Sequence, residues 1–238
     1  MHITPDTLII FQWGPVLLNK TILFTWCVMV LMVVGSWLIT RKLSTETHLS
    51  RWQNLIEVLV TGMRDEIRDI SSQDPGRYLS FVGTLFLFIA VSNLLGIVPG
   101  YVPPTGSFST ATALALCVFV AVPLYAISQK GLSYLKEYIE PSIFMLPFNI
   151  IGEISRTFAL AVRLFGNIMS GTIIAAILLA IAPLIFPVLM QVLGLLIGLI
   201  QAYIFAILAM VYIAAATHVQ RKEGETGRQS EKGDLSDG

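Results

Sequence analysis

No Asp, Glu, Lys or Arg occurs between Leu164 and Gln220, and the residue just before this stretch is Arg163. So long an uncharged, apolar segment fits the hydrocarbon of a lipid bilayer and not a soluble fold. Only 13% of the 238 residues are charged and mean hydropathy is +0.77, against about a quarter charged in soluble domains. The sequence therefore predicts an integral membrane protein, and its net charge of zero argues against nucleic acid as a partner.

Apolar runs separated by charged or Pro-rich segments predict an all-α protein with about five membrane-crossing helices. We expect one membrane domain over residues 1–220 and a disordered cytoplasmic tail over 221–238, because the tail has almost no apolar residues. Cys27 and Cys117 lie within apolar segments, so we expect neither a disulfide nor a metal site. The predicted spans are about 21–40, 78–98, 109–127, 148–182 and 188–219.

A sixth helix is predicted between the first two spans, at about residues 50–70, and it is too charged to cross a membrane. Its apolar residues fall on one helical stripe, namely Trp52, Leu55, Ile56, Leu59, Val60, Met63, Ile67 and Ile70. Glu57, Arg64, Asp65 and Arg68 lie elsewhere on the helix. This pattern favours an amphipathic helix lying in the membrane interface, and a soluble connector helix is the alternative.

The Lys and Arg residues of the short loops predict the orientation, because such residues concentrate on the cytoplasmic side. Five crossings place one set of basic residues on that side: Arg41, Lys42, Arg51, Arg64, Arg68, Arg77, Lys130, Lys136, Arg221 and Lys222. The loop at residues 99–107 has no charge. We therefore expect the N-terminus outside and the C-terminus in the cytoplasm.

The last two predicted spans are unusually long. Thirty-five helical residues reach ~52 Å at 1.5 Å each, whereas the hydrocarbon core is ~30 Å thick. No Pro interrupts residues 148–182, which favours a long, steeply tilted hairpin turned by Pro183 and Pro187. A break in each helix is the alternative.

Both long helices carry polar and small residues on one side. Helical spacing groups Glu153, Arg156, Arg163, Asn167 and Ser170 on the first helix. The second has Gln191, Gly194, Gly198 and Gln201 at similar spacing. Small residues and amides can simply pack membrane helices together, as in a GxxxG pair. Packing gives no reason for a permanent charge, which costs at least ~2.5–3.5 kcal/mol in mid-bilayer, so Arg163 indicates a function.

These residues carry a family resemblance. The run "EISRTFALAVRLFGNIMSG" resembles the signature of the a subunit in the membrane (Fo) sector of F-type ATP synthases. The segments "TLFLFIAVSNLLGIVPG", "PPTGSFSTATALAL" and "LIQAYIFAILAMVYIA" are also similar to that family. The resemblance covers roughly residues 20–220.

The resemblance implies a non-catalytic, ion-translocating subunit without a cofactor, in a bacterial plasma (inner) membrane. Two slanted helices would embrace the rotating c-ring, with two half-channels leading to its carboxylates. Arg163 corresponds to the family's essential arginine, Asn167 to its neighbouring asparagine and Gln201 to the glutamine of the last helix. A fixed positive charge favours an ionised carboxylate nearby. Peripheral-stalk b-type subunits and the bilayer are the other implied partners.

The sequence departs from parts of the family pattern. Some members have a carboxylate where this chain has Thr172, a histidine where it has Gly194 and a proline where it has Thr157. The outer half-channel would then be lined only by neutral groups: Asn167, Ser170, Thr172, Gln191, Gln201 and Asn93. Protons are the expected ion, and sodium stays open.

Glu153 and Arg156 are expected to line the cytoplasmic half-channel, or alternatively to form a simple interface ion pair. A self-contained secondary transporter is a rival function, but such folds usually contain internal repeats and none is found. An intramembrane enzyme is disfavoured because no His, Asp or Glu cluster has catalytic spacing.

Overall fold

A computed structural model describes residues 9–13, 16–41, 51–71, 75–98, 101–131, 145–181 and 186–218 of the chain. Six long helices account for most of them: α1 Lys20–Thr40, α2 Arg51–Ser71, α3 Gly76–Leu94, α4 Phe108–Lys130, α5 Met145–Ile181 and α6 Phe186–His218. All except α2 are long and apolar enough to cross a membrane. The predicted all-α class with five crossing helices is therefore confirmed.

One element lies outside that prediction. Strands β1 (Ile9–Trp13) and β2 (Val16–Asn19) form a short antiparallel hairpin just before α1. Its sequence, rich in Ile, Phe, Trp, Val and Leu, has the apolar and aromatic composition that favours strands. The hairpin leads directly into α1 at Lys20.

Both long helices are continuous over the residues described. Helix α5 has 37 residues and α6 has 33, so each is ~50 Å or longer at 1.5 Å per residue. Pro147 and Pro187 both lie in the first turn of a helix, where the missing N–H breaks no hydrogen bond. The predicted turn residue Pro183 and the predicted disordered tail at 221–238 lie outside the described residues.

The helices pack in two main pairs. Helix α6 makes its most extensive contact with α3, and α5 makes its most extensive contact with α4. Helices α5 and α6 also touch each other, and α2 lies against α3 and α6. The core between them is built from Ile89 on α3, Val118 on α4, Leu164 on α5 and Phe205 on α6, all almost fully buried.

The segment between α3 and α4 folds back into this bundle. It contains two short 3-10 turns, Leu95–Ile97 and Pro104–Gly106. The second turn is fully buried and contacts α1, α3, α4 and α5. A Cβ on Gly106 would lie only 3.0 Å from Ile168 Cγ2 on α5, so glycine allows this close approach.

Candidate functional site

Arg163 lies at the middle of the longest apolar span. That span runs from Leu146 to Ile181, so Arg163 is 17 residues after its start and 18 before its end. Its side chain is exposed, although Leu160, one turn earlier, and the next residue, Leu164, are buried. Only 6% of the span's residues are buried inside the chain. Most of α5 therefore has a surface that no other described part of this chain covers.

The predicted polar stripe lies along the border between the packed and open faces of α5. Arg156, Arg163 and Ser170 are exposed, whereas Glu153 and Asn167 are half-buried. The hydroxyls of this region donate hydrogen bonds to backbone carbonyls of the same helix. Ser170 Oγ donates to the Asn167 carbonyl at 3.1 Å, and Thr172 Oγ1 donates to the Ile168 carbonyl at 2.9 Å. Both hydroxyls are thus satisfied locally.

The N-terminal half of the stripe contacts α6. The Arg156 guanidinium lies over the Tyr212 ring, 5.7 Å from its centroid, which is within the range of a cation–π interaction. One residue later, Thr157 Oγ1 donates a 3.0 Å hydrogen bond to the Glu153 carbonyl. Arg156 therefore has an aromatic partner on the neighbouring long helix.

The two glutamines of α6 have different surroundings. Gln191 is exposed, and its Nε2 donates a 3.1 Å hydrogen bond to the Gly96 carbonyl in the 3-10 turn after α3. Gln201 is 5% exposed, and its buried Nε2 has no hydrogen-bond partner among the described residues. A buried amide N–H without a partner is costly, and ordered water commonly satisfies such groups.

Asn93 on α3 joins three elements. Its Nδ2 donates to the Gly198 carbonyl on α6 at 2.9 Å, and its Oδ1 accepts from Thr105 Oγ1 at 2.8 Å. All three residues are buried. We call Asn93, Thr105 and Gly198 the Asn93 cluster. The sequence interpretation included Asn93 and missed Thr105, although a threonine in an uncharged loop between two spans could have suggested it.

Two further hydroxyls near the Asn93 cluster were also missed. Ser92 is fully buried, and Tyr101 packs its ring against Phe24 at 4.8 Å between centroids. The two hydroxyls approach each other, but neither completes a hydrogen bond among the described residues. Burial raises the pKa of Tyr101 to about 12, opposed by a smaller lowering from the Ser92 hydroxyl. Tyr101 is therefore neutral at physiological pH.

Within the described ranges, no group of three or more His, Cys, Asp or Glu residues could hold a metal ion. Cys27 and Cys117 are free and exposed on the surfaces of α1 and α4. The polar groups on the open face and in the interior are thus mainly hydroxyls, amides and the two α5 arginines.

A profile of the family described as "ATP synthase A chain" matches residues 22–214. The chain belongs to this family. Its relatives include "ATP synthase subunit a 2" of Acaryochloris marina, which is 62% identical over 234 residues, covering 98% of this chain and all of the relative. "ATP synthase subunit a" of Albidiferax ferrireducens is 58% identical over 96% of this chain and all of the relative.

A third relative, "ATP synthase subunit a 1" of Chlorobaculum parvum, is 59% identical over 93% of this chain and 99% of the relative. Family membership confirms the resemblance read from the RLFGN run and its companion segments. The chain is a non-catalytic membrane subunit of the Fo sector of an F-type ATP synthase. Together with its five long apolar helices, this makes it a multi-pass integral membrane protein that takes part in ATP synthesis and ion transport.

Proposed function

We propose that the chain is the stationary ion channel of its ATP synthase and carries protons to and from the carboxylates of the c-ring during rotation-coupled ATP synthesis or hydrolysis. One observation carries this proposal: Arg163 is exposed at the midpoint of a span of which only 6% of the residues are buried inside the chain. A guanidinium facing lipid there would be strongly unfavourable. A carboxylate on a neighbouring subunit removes that cost.

Arg163 would act in two ways at the boundary with the c-ring. Its positive charge favours the ionised form of each passing carboxylate, which releases a proton into the exit pathway. It also repels a cation moving directly from one half-channel to the other. Such a leak would dissipate ~2.3 kcal/mol per charge for each 100 mV.

Evidence for the proposed outer half-channel comes from the polar residues in and around the Asn93 cluster. Ser92 Oγ, Tyr101 Oη and Gln201 Nε2 are buried polar atoms without partners among the described residues. Buried groups of this kind are usually satisfied by water. We infer that water enters along α3 and the 101–107 segment and reaches Gln201. Asn167, Ser170, Thr172 and Gln191 complete the predicted lining.

The cytoplasmic half-channel would be lined by Glu153 and Arg156. Both lie on the Arg163 stripe, in the N-terminal half of α5, and Arg156 is exposed. The proposed orientation follows from the Lys and Arg distribution, with the N-terminus outside and the C-terminus in the cytoplasm of a bacterial plasma (inner) membrane. Peripheral-stalk b-type subunits are the other proposed partners.

The same pathway could carry sodium. Tyr101 is the one titratable residue among Ser92, Asn93, Tyr101, Thr105 and Gln201, and burial raises its pKa to about 12, so it is neutral at physiological pH. Neutral hydroxyl and amide oxygens are suitable ligands for a hard cation. Sodium is therefore the second candidate, and the choice between the ions is tested below.

Replacement of Arg163 tests the central assignment. Arg163→Ala in the assembled complex should abolish ATP synthesis driven by an ion gradient, while co-purification of the c-ring shows that assembly is intact. Arg163→Lys keeps the charge but loses the planar guanidinium, so it should restore little activity. Arg64→Ala, at an exposed position of α2, is the matched control and should synthesise ATP normally. Normal coupled synthesis by Arg163→Ala would refute the proposal.

A further inference from the structure

A cavity of about 220 Å³ lies where α2 meets α3 and α6, and it is open on one side. Helix α2 provides one wall, α3 a second and α6 the third. Apolar side chains dominate the lining, among them Val58, Leu59, Met63, Val82, Phe86 and Met210. The cavity lies under the apolar stripe of the amphipathic helix and involves none of the residues proposed for the ion pathway.

A cavity of this size and lining is not filled by water. Apolar cavities of ~150 Å³ in proteins stay dry and bind apolar molecules such as benzene. In a multi-pass membrane protein the surrounding bilayer is a continuous source of apolar groups. The group that fits an open, apolar space between membrane helices is an acyl chain.

One carboxylate interrupts the apolar lining. Glu66 on α2 is half-buried and lines the cavity, next to the buried Ile67. The residues one helical turn away on either side are Gly62, Met63, Asp69 and Ile70. None of them is a cation, so α2 does not neutralise Glu66 through the usual i±3 or i±4 pairing. The negative charge of the Glu66 carboxylate therefore favours a cationic ligand at this position.

Tyr203 on α6 lies close to the Glu66 carboxylate. Its side chain is 47% exposed and lines the same cavity, where its hydroxyl interacts electrostatically with Glu66. A carboxylate has two oxygens and about four acceptor sites. The tyrosine hydroxyl carries no positive charge, so the Glu66 carboxylate keeps its charge and has capacity for a cationic donor in the cavity.

We propose that this cavity is a lipid-binding site, which takes one acyl chain of a bilayer lipid and pairs the lipid's ammonium head group with Glu66. Charge complementarity and the apolar walls select the same ligand, because an amphiphile with a cationic head satisfies both at once. The amphipathic α2 has an exposed charged face, which matches a helix at the level of lipid head groups. The lipid would fasten α2 to α3 and α6.

Gly62 provides a direct way to fill the site. It lines the cavity, and a Cβ built on it would meet no atom within 4 Å. A larger side chain at this position would enter the open space without displacing the helix. Gly35 on α1 also has nothing within 4 Å and is not among the residues that line the cavity, so it is the matched control for a glycine replacement.

The test uses the purified ATP synthase complex in nanodiscs that contain trace photoactivatable lipid. Two probes have the same diazirine-bearing acyl chain, one with a phosphatidylethanolamine head and the other with phosphatidylglycerol. Labelling of α2 and α6 peptides is measured by mass spectrometry. In the wild-type chain the ethanolamine probe should label these peptides about threefold more than the glycerol probe does, because a modest ion pair has an effect of that size. Glu66→Gln should remove this preference, and Asp65→Asn, on the exposed side of α2, should keep it.

Filling the cavity tests the acyl-chain site separately. Gly62→Leu should lower labelling by both probes about tenfold, because exclusion of only two methylenes from an apolar site has an effect of that size. Gly62→Ala, a smaller change that favours helix, should give an intermediate loss, and Gly35→Leu should leave labelling unchanged. ATP synthesis by each variant shows that the complex is assembled.

Two results would overturn the proposal. Unchanged labelling in Gly62→Leu and Gly62→Ala would mean that the chain does not occupy the cavity. Equal labelling by the two probes in the wild-type chain, or an unchanged preference in Glu66→Gln, would exclude Glu66 as the partner of an ammonium head group. Neither result depends on the ion pathway, which is tested at Arg163.

Discussion

Asn93 on α3 and Gly198 on α6 lie so close that a side chain on residue 198 has no room. Asn93 Nδ2 donates a 2.9 Å hydrogen bond to the Gly198 carbonyl, and a Cβ on Gly198 would lie 2.9 Å from Asn93 Cβ. The two residues are 105 positions apart in the chain. This contact fixes α6 against α3 beside the buried Gln201.

Gly198→Ala should therefore destabilise the protein, because Asn93 Cβ is held close to the α3 backbone and cannot move aside cheaply. Overpacking of this kind typically costs about 1–3 kcal/mol. Gly194→Ala is the matched control, since a Cβ there meets nothing within 4 Å. The thermal unfolding midpoint of the purified complex should fall for Gly198→Ala only. Equal midpoints for the two variants would contradict the close approach.

Tyr101 should make the protein sensitive to alkaline pH. Its pKa is raised by burial from 10.0 to about 12, so between these values the unfolded chain loses the hydroxyl proton while the folded chain keeps it. Stability contributed by Tyr101 is complete below pH 10 and falls as pH rises from 10 to 12. Tyr101→Phe should show a smaller loss of thermal stability between pH 9 and pH 11. An identical loss in both proteins would exclude Tyr101 as the cause.

The transported ion can be identified by ATP-driven pumping in sealed vesicles. The proposal predicts acidification in sodium-free buffer, unaffected by added sodium, because water bound at the unpartnered polar atoms of Ser92, Tyr101 and Gln201 would relay protons. If sodium is the ion, uptake of labelled sodium should persist or increase when an uncoupler collapses the proton gradient. The Arg163→Ala variant is the control, and it should show neither activity.

The proposed orientation can be tested by single-cysteine labelling with a membrane-impermeant reagent, after replacement of Cys27 and Cys117 by Ser. Thr105 would be a poor reporter because it is fully buried. Val98 and Ser128 are exposed, near the C-terminal ends of α3 and α4 respectively. Val98→Cys should react from outside in intact cells, whereas Ser128→Cys should react only after the membrane is opened. The reverse pattern would invert the orientation.

Much of the helical architecture could be predicted from hydropathy, because the backbone in lipid must satisfy its hydrogen bonds within each segment. The 9–19 hairpin was not predicted, since strand propensity over nine residues is a weak local signal. The length of α5 was anticipated from the absence of Pro between residues 148 and 182. Its continuity to Ile181 agrees with that reading.

Only part of the candidate functional site could be predicted from the sequence. Arg163 could be predicted as functional because a charge within an apolar segment is easily recognised. Its exposure could not be predicted, because it depends on how the helices pack. Gly198 was interpreted as one half of a GxxxG pair, yet its close partner is Asn93, and Gly194 contacts nothing within 4 Å. Such pairings between distant segments follow from tertiary packing, so one sequence cannot reveal them. The same applies to Glu66, whose neighbour Tyr203 lies on a different helix.

The position of Arg163 has an electrical consequence. It lies 17 residues from one end of its span and 18 from the other, so a span centred on the bilayer would place this residue at the middle of the membrane. In a uniform field, an ion that reaches the level of Arg163 from either surface has crossed half of the membrane voltage, ~1.2 kcal/mol per charge for each 100 mV. Entry and exit would then share the voltage dependence equally, and neither step alone would set the response of rotation to membrane potential.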